Sequence, residues 1–142
     1  MSFETDADIA ALTAAFRART LPKEKWTHAA HWAAALSLVA EDEAAAFRDM
    51  PAIIRAYNES VGGRNTDTEG YHETITLASL RAVAHALSGA PKGTPLHVIL
   101  SDLLAGPCGQ PDWILSYWSR ENLFSPEARR EWTAPNLQAL PW

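Results

Sequence analysis

The chain has 142 residues and one cysteine, Cys108, so it can build neither an internal disulfide framework nor a thiolate metal cage. No apolar run approaches the ~18 residues of a membrane span, and the opening Met1-Ser-Phe-Glu-Thr-Asp6 lacks the basic start of a signal peptide. Positive charge is in deficit. Twelve Lys and Arg against 17 Asp and Glu leave a net charge of −5, which argues against a nucleic-acid partner gripped through its phosphates. β-Branched residues are sparse and strand-like alternation is missing. There is no Gly-x-Ser-x-Gly elbow, no phosphate-binding glycine loop and no dinucleotide fingerprint, which removes serine hydrolases, kinases and Rossmann enzymes. The expectation is a protein of the reduced cytoplasm with no membrane partner.

Alanine and leucine dominate what is present, and the length suits one core without internal repeats or a dividing linker. The pattern predicts a single all-α domain over residues 1–142, with four main helices and shorter C-terminal ones. Thr5 with Asp8 reads as a capping box for a first helix whose buried stripe is Ile9, Leu12 and Phe16. A second helix runs from near Trp26-Thr27 to about Ala40. A third covers roughly Glu43 to Ser60, with Pro51 predicted either to kink it or to mark a restart. After a polar loop over 61–70, a fourth is expected from about Tyr71 to Leu87, closed by Ser88-Gly89. Thr94-Pro95 predicts an N-cap and first-turn proline for a fifth. Asp112 and Ser125-Pro126 open two short helices by the same logic. Residues 133–142 are expected to lie extended over the body, held by Leu137, Leu140 and Trp142.

At about 100° per residue, His28 and His31 share an arc with Ala35, Leu38 and Val39, while Ala30, Ala33 and Ser37 lie opposite. On the fourth helix His72 aligns with Thr76, Ser79, Leu80 and Val83 and is predicted to face inward, whereas His85 faces water. Three neutral imidazoles leave a fourth position open for water or substrate, the arrangement of catalytic zinc. The expected site therefore holds one divalent ion on His28, His31 and His72, zinc by default, with iron, manganese, nickel or copper left open. Glu73 diverges from His72 by about 100° and is expected to act as a general base on metal-bound water. Tyr57, Asn58, Tyr117 and Arg120 are the candidate substrate-binding groups. The activity expected is a metal-dependent hydrolase, lyase or isomerase acting on a small polar molecule.

Plainer readings compete with each assignment. The histidines can be core residues, or metal-free acid/base groups in a small-ligand-binding protein. Glu73 can pair with Arg64 or Arg120, and Arg120 with Glu121 or Glu127. Asn58 can satisfy a helix end. The tryptophans at 26, 32, 113, 118 and 132 can wall a pocket or, more simply, fill a core of alanine-rich helices, and the aromatic C-terminal segment can serve an interaction protein. His72-Glu-Thr-Ile-Thr76 has Thr76 where a zincin needs its second histidine, so a metalloprotease is not supported. Cys108 has no histidine near it in sequence to activate it.

Three stretches taken together, Leu21-Pro-Lys-Glu-Lys-Trp-Thr-His-Ala-Ala-His31, Tyr57-Asn58 with Asn65-Thr66 and Gly70-Tyr-His-Glu-Thr-Ile-Thr76, and Tyr117-Trp-Ser-Arg120 with Leu123-Phe-Ser-Pro126, span most of the chain. In them the sequence resembles a family of small uncharacterised bacterial proteins. The resemblance implies a shared all-helical fold and carries no reaction.

Overall fold

Thr5 opens the chain's first helix as its spacing to Asp8 predicts. Its hydroxyl accepts from the Asp8 amide at 3.2 Å, and the Asp8 carboxylate accepts from the Thr5 amide at 3.1 Å. The computed structural model describes residues 2–142, and all regular structure among them is helical. The helices are α1 (Asp6–Arg17), α2 (His28–Glu41), α3 (Glu43–Ser60), α4 (Glu73–Gly89), α5 (Leu96–Ala105), α6 (Arg120–Leu123) and α7 (Pro126–Arg130), with short 3-10 turns at Lys23–Lys25, Pro107–Gly109 and Trp113–Ser116. No helix among the described residues is long and apolar enough to cross a membrane.

α2 is the centre, with α1, α3, α4 and α5 all packed against it. The arc opposite the histidines is closed as well, with Ala30 and Ala33 fully buried beside Trp32, Ala34, Leu36 and Leu38. The cause is simple. A helix apolar on all sides belongs inside the bundle, and alanine lets neighbouring helices approach closely from every direction. The first turn, bearing His28 and His31, emerges at one end, and Ala40 and Glu41 emerge at the other. α3 runs unbroken through Pro51, so the restart alternative falls. Asp42 caps α3 at the Ala45 amide.

Three helix starts differ from expectation. α4 begins at Glu73, with His72 outside it as the N-cap residue in extended conformation (φ −135°, ψ 109°). Histidine is an uncommon cap, and a pattern tuned to Ser, Thr, Asn and Asp passes over it. α5 begins after Pro95, and Thr94 does not cap it: the Thr94 hydroxyl turns back to the Pro91 carbonyl. The cap comes from α1, where the Asp6 carboxylate accepts from the amides of Leu96 and His97, clasping two helix ends together. Asp112 makes no cap, and a 3-10 turn follows it.

The C-terminal stretch drapes over the body without regular structure. Leu140 and Trp142 pack against the core, whereas Leu137 is 56% exposed and contributes through its amide, which donates to the Tyr117 carbonyl. Trp118, wholly buried, donates its indole N–H to the Thr133 carbonyl, fixing the start of this stretch.

Candidate functional site

Where α2 emerges, a cleft of about 510 Å³ opens between its first turn and α4. His28, His31 and Trp32 form one wall, Ile75 and Ser79 of α4 another, and the turn at Trp113–Leu115 with Arg120 and Phe124 closes it. The volume lies within the ~300–1,000 Å³ of pockets that enclose small organic molecules, and the walls are mainly apolar with a few polar groups, as such pockets are. Arg120 and Phe124, four residues apart, share a face of the α6 segment, which is how a charge and a ring reach the same rim.

His31 is held in a defined orientation. Its Nδ1 donates to the Thr27 carbonyl at 2.6 Å, one helical turn back. Its ring lies on Trp26 at 4.0 Å between centroids, and Trp26 stacks in turn on Phe16 at 4.2 Å. A proton fixed at Nδ1 leaves Nε2 as an unprotonated acceptor. His31 keeps an open surface yet lies within a concave wall of protein. That burial disfavours the charged ring and lowers its pKa from the ordinary 6.5, against the opposing Thr27 hydrogen bond and with a small push from His28.

His28 faces two partners with opposite needs at one nitrogen. The Cys108 carbonyl, which can only accept, lies 2.8 Å from Nε2, and the Trp32 indole N–H, which can only donate, lies 3.2 Å from the same atom. A proton on Nε2 satisfies Cys108 and leaves Nδ1 as a free acceptor; a proton on Nδ1 satisfies Trp32 instead. Neither form satisfies both.

Arg120 is exposed, and its guanidinium makes no hydrogen bond or ion pair among the described residues; the pairing with Glu121 or Glu127 is not formed. Asp112, at the opposite charge, shares the cleft.

The remaining expected site residues stand elsewhere. His72, 6% exposed, spends both ring nitrogens on backbone: Nδ1 accepts from the Ile75 amide at 3.2 Å and Nε2 donates to the Leu123 carbonyl at 2.6 Å. Its ring meets Phe124 edge-on at 6.3 Å, one layer behind the cleft wall. Glu73 accepts from the Tyr71 hydroxyl rather than pairing with Arg64 or Arg120. Burial and that carboxylate together push the Tyr71 phenol well above its usual range. Tyr57 is fully buried and donates its hydroxyl to the Leu21 carbonyl at 2.9 Å. Asn58 donates to Asn65 at 3.0 Å, and Asn65 also accepts from the Tyr71 amide, so both shape the 61–70 loop. Gly70 (φ +80°) closes that loop where a Cβ would strike the Arg64 carbonyl. Tyr117 contacts the rings of Trp113 and Trp142 and lines neighbouring hollows. Among the described residues no group of three or more His, Cys, Asp or Glu is disposed to hold a metal ion.

Trp113, Phe124, Ile75 and Asp112 belong to the cleft but were not among the expected site residues. The spacing to Arg120 is a signal for Phe124 and the tryptophan pocket-wall reading is one for Trp113; Ile75 and Asp112 carry none. The chain matches no protein-family model, no curated protein and no solved structure.

Proposed function

We propose that the cleft is an enzyme site that binds a small organic molecule and moves a proton on it, with His31 as base and His28 as its adaptable neighbour. The observation that carries this reading is the Thr27 carbonyl on His31 Nδ1, which leaves Nε2 with a lone pair and no partner among the described residues. A base held in one tautomer and one orientation is suited to proton abstraction, and its lowered pKa keeps it unprotonated near neutral pH. His28 complements it, because the Cys108 carbonyl and the Trp32 indole compete for the same Nε2 and so hold its two tautomers in contention. A proton accepted at Nδ1 leaves Nε2–H on Cys108 in place. The acidic surface and single buried cysteine support a small-molecule role in a reducing cytoplasm over nucleic-acid binding.

A second reading rests on the same lone pairs. Anchoring one ring N–H on a backbone carbonyl is also how metal-binding imidazoles are oriented. His28 and His31 with a divalent ion, zinc first, would leave positions open for water or substrate. His72 would join them only by releasing the Ile75 amide and the Leu123 carbonyl.

Nitrogen-detected NMR of the histidine rings at pH 7.5 tests both. The proton-transfer reading expects His31 protonated at Nδ1 alone, with its Nε2 shift unmoved by one equivalent of zinc. A zinc-dependent shift of both His28 and His31 favours the metal reading. A His31 protonated at Nε2 overturns the assigned base.

A further inference from the structure

Resting on the reading of this cleft as a small-molecule site, we infer that its ligand is an organic monocarboxylate with an apolar, ring-bearing body. Arg120 takes the carboxylate, and Trp32, Trp113 and Phe124 take the body.

Three observations combine. First, Arg120 is the positive charge of the cleft, and no acidic side chain engages it. The other arginines paired with a carboxylate, Arg17, Arg48 and Arg130, lie outside the cleft. An unengaged guanidinium presents its planar fork to an incoming carboxylate in two-point geometry. Second, the walls beside it are aromatic. Trp32 and Trp113, themselves largely buried, meet at 5.6 Å between centroids with their planes tilted by 55°, and Phe124 is 47% exposed at the rim, a large apolar ring left uncovered next to the charge. Aromatic walls take an apolar, ring-bearing body in offset or edge-to-face contact. Third, the cleft contains Asp112 and sits in a chain of net charge −5, so a dianion such as a phosphate ester meets about twice the repulsion that a monocarboxylate does. One guanidinium, with no glycine loop around it, fits a single negative charge.

The placement also orients chemistry. With the carboxylate at Arg120 and the body against the tryptophans, the part of the ligand between them lies in the same cleft as His31 and His28. A C–H, N–H or O–H there is what the His31 lone pair would accept a proton from.

The test is amide and ring NMR of the full chain at pH 7.5, titrated with naphthalene-2-carboxylate, its neutral primary amide, and naphthyl phosphate. The carboxylate is expected to shift the signals of His31, Trp32, Trp113 and Arg120, and to bind about tenfold more tightly than the amide. Arg120→Gln should remove that preference, leaving amide affinity within about twofold of the parent. Equal binding of acid and amide, or tighter binding of the phosphate, overturns the carboxylate assignment while leaving the cleft a ligand site. No shift at the cleft residues with any of the three overturns both the assignment and the ligand-site reading beneath it.

Discussion

Replacing His72 separates its structural role from the metal role that the sequence suggested. In the folded chain His72 serves two buried backbone groups, the Ile75 amide at the start of α4 and the Leu123 carbonyl at the end of α6. His72→Ala removes an N-cap, which costs about 1 kcal/mol. It also leaves the buried Leu123 carbonyl unpaired, costing about 1–3 kcal/mol more. The sum, roughly 2–4 kcal/mol, is a large part of the ~5–15 kcal/mol that holds a domain of this kind together. His72→Asn keeps a side-chain oxygen that can cap Ile75 but is too short to reach Leu123, so it should recover about 1 kcal/mol of the loss. Urea unfolding followed by circular dichroism at pH 7.5, without metal, measures both. If the alanine variant unfolds within about 0.5 kcal/mol of the parent, the two hydrogen bonds do not hold the chain and the reasoning fails. If asparagine and alanine are equally destabilised, the cap is not what His72 contributes.

Further outcomes follow from the same contacts. Burial, aided by the nearby Arg129 charge, lowers the His72 pKa from 6.5, so between that value and its folded pKa the unfolded chain binds more protons and stability falls as pH falls. The slope is at most about 1.4 kcal/mol per pH unit for one histidine, and unfolding curves from pH 7.5 to 5 should be shallower in pH for His72→Asn; equal slopes would remove His72 as the source. Tyr57→Phe strands the Leu21 carbonyl, just beyond the end of α1, and should cost about 1–3 kcal/mol, read by thermal unfolding; a change under about 0.5 kcal/mol contradicts the bond's role. Cys108 is buried and its thiol is pushed up to about 11, so a disulfide reagent at pH 8 should label it only as fast as the chain opens; rapid labelling of the native protein would be incompatible with that burial.

The gap between the expected and the observed site comes down to one boundary. The first stripe, Ile9, Leu12 and Phe16, is legible because α1 lies on the body with one face covered, where apolar spacing and burial coincide. α2 breaks that coincidence: with helices on all sides its alanines are core, and its phase says nothing about which face carries chemistry. His28 and His31 were still singled out, because histidines three apart share a face wherever the helix lies. His72 was placed by assuming that α4 had already begun, and the assumption failed because an imidazole can do what Ser or Asp does at a cap. Once His72 is outside the helix, its neighbour Glu73 turns to Tyr71, and neither reaches the first turn of α2. Arg120 was found for its charge alone. The cleft around it is built by residues 75, 79, 113 and 124 from three separate segments, and such a meeting is a property of packing that no local spacing encodes. The same packing explains why His72 matters to the cleft without lining it, since the carbonyl it holds ends the helix that carries Arg120, with Phe124 immediately after. A proton added to His72 Nδ1 would break its bond to the Ile75 amide at the start of α4, the other wall of the cleft, and leave Nε2–H on the Leu123 carbonyl in place.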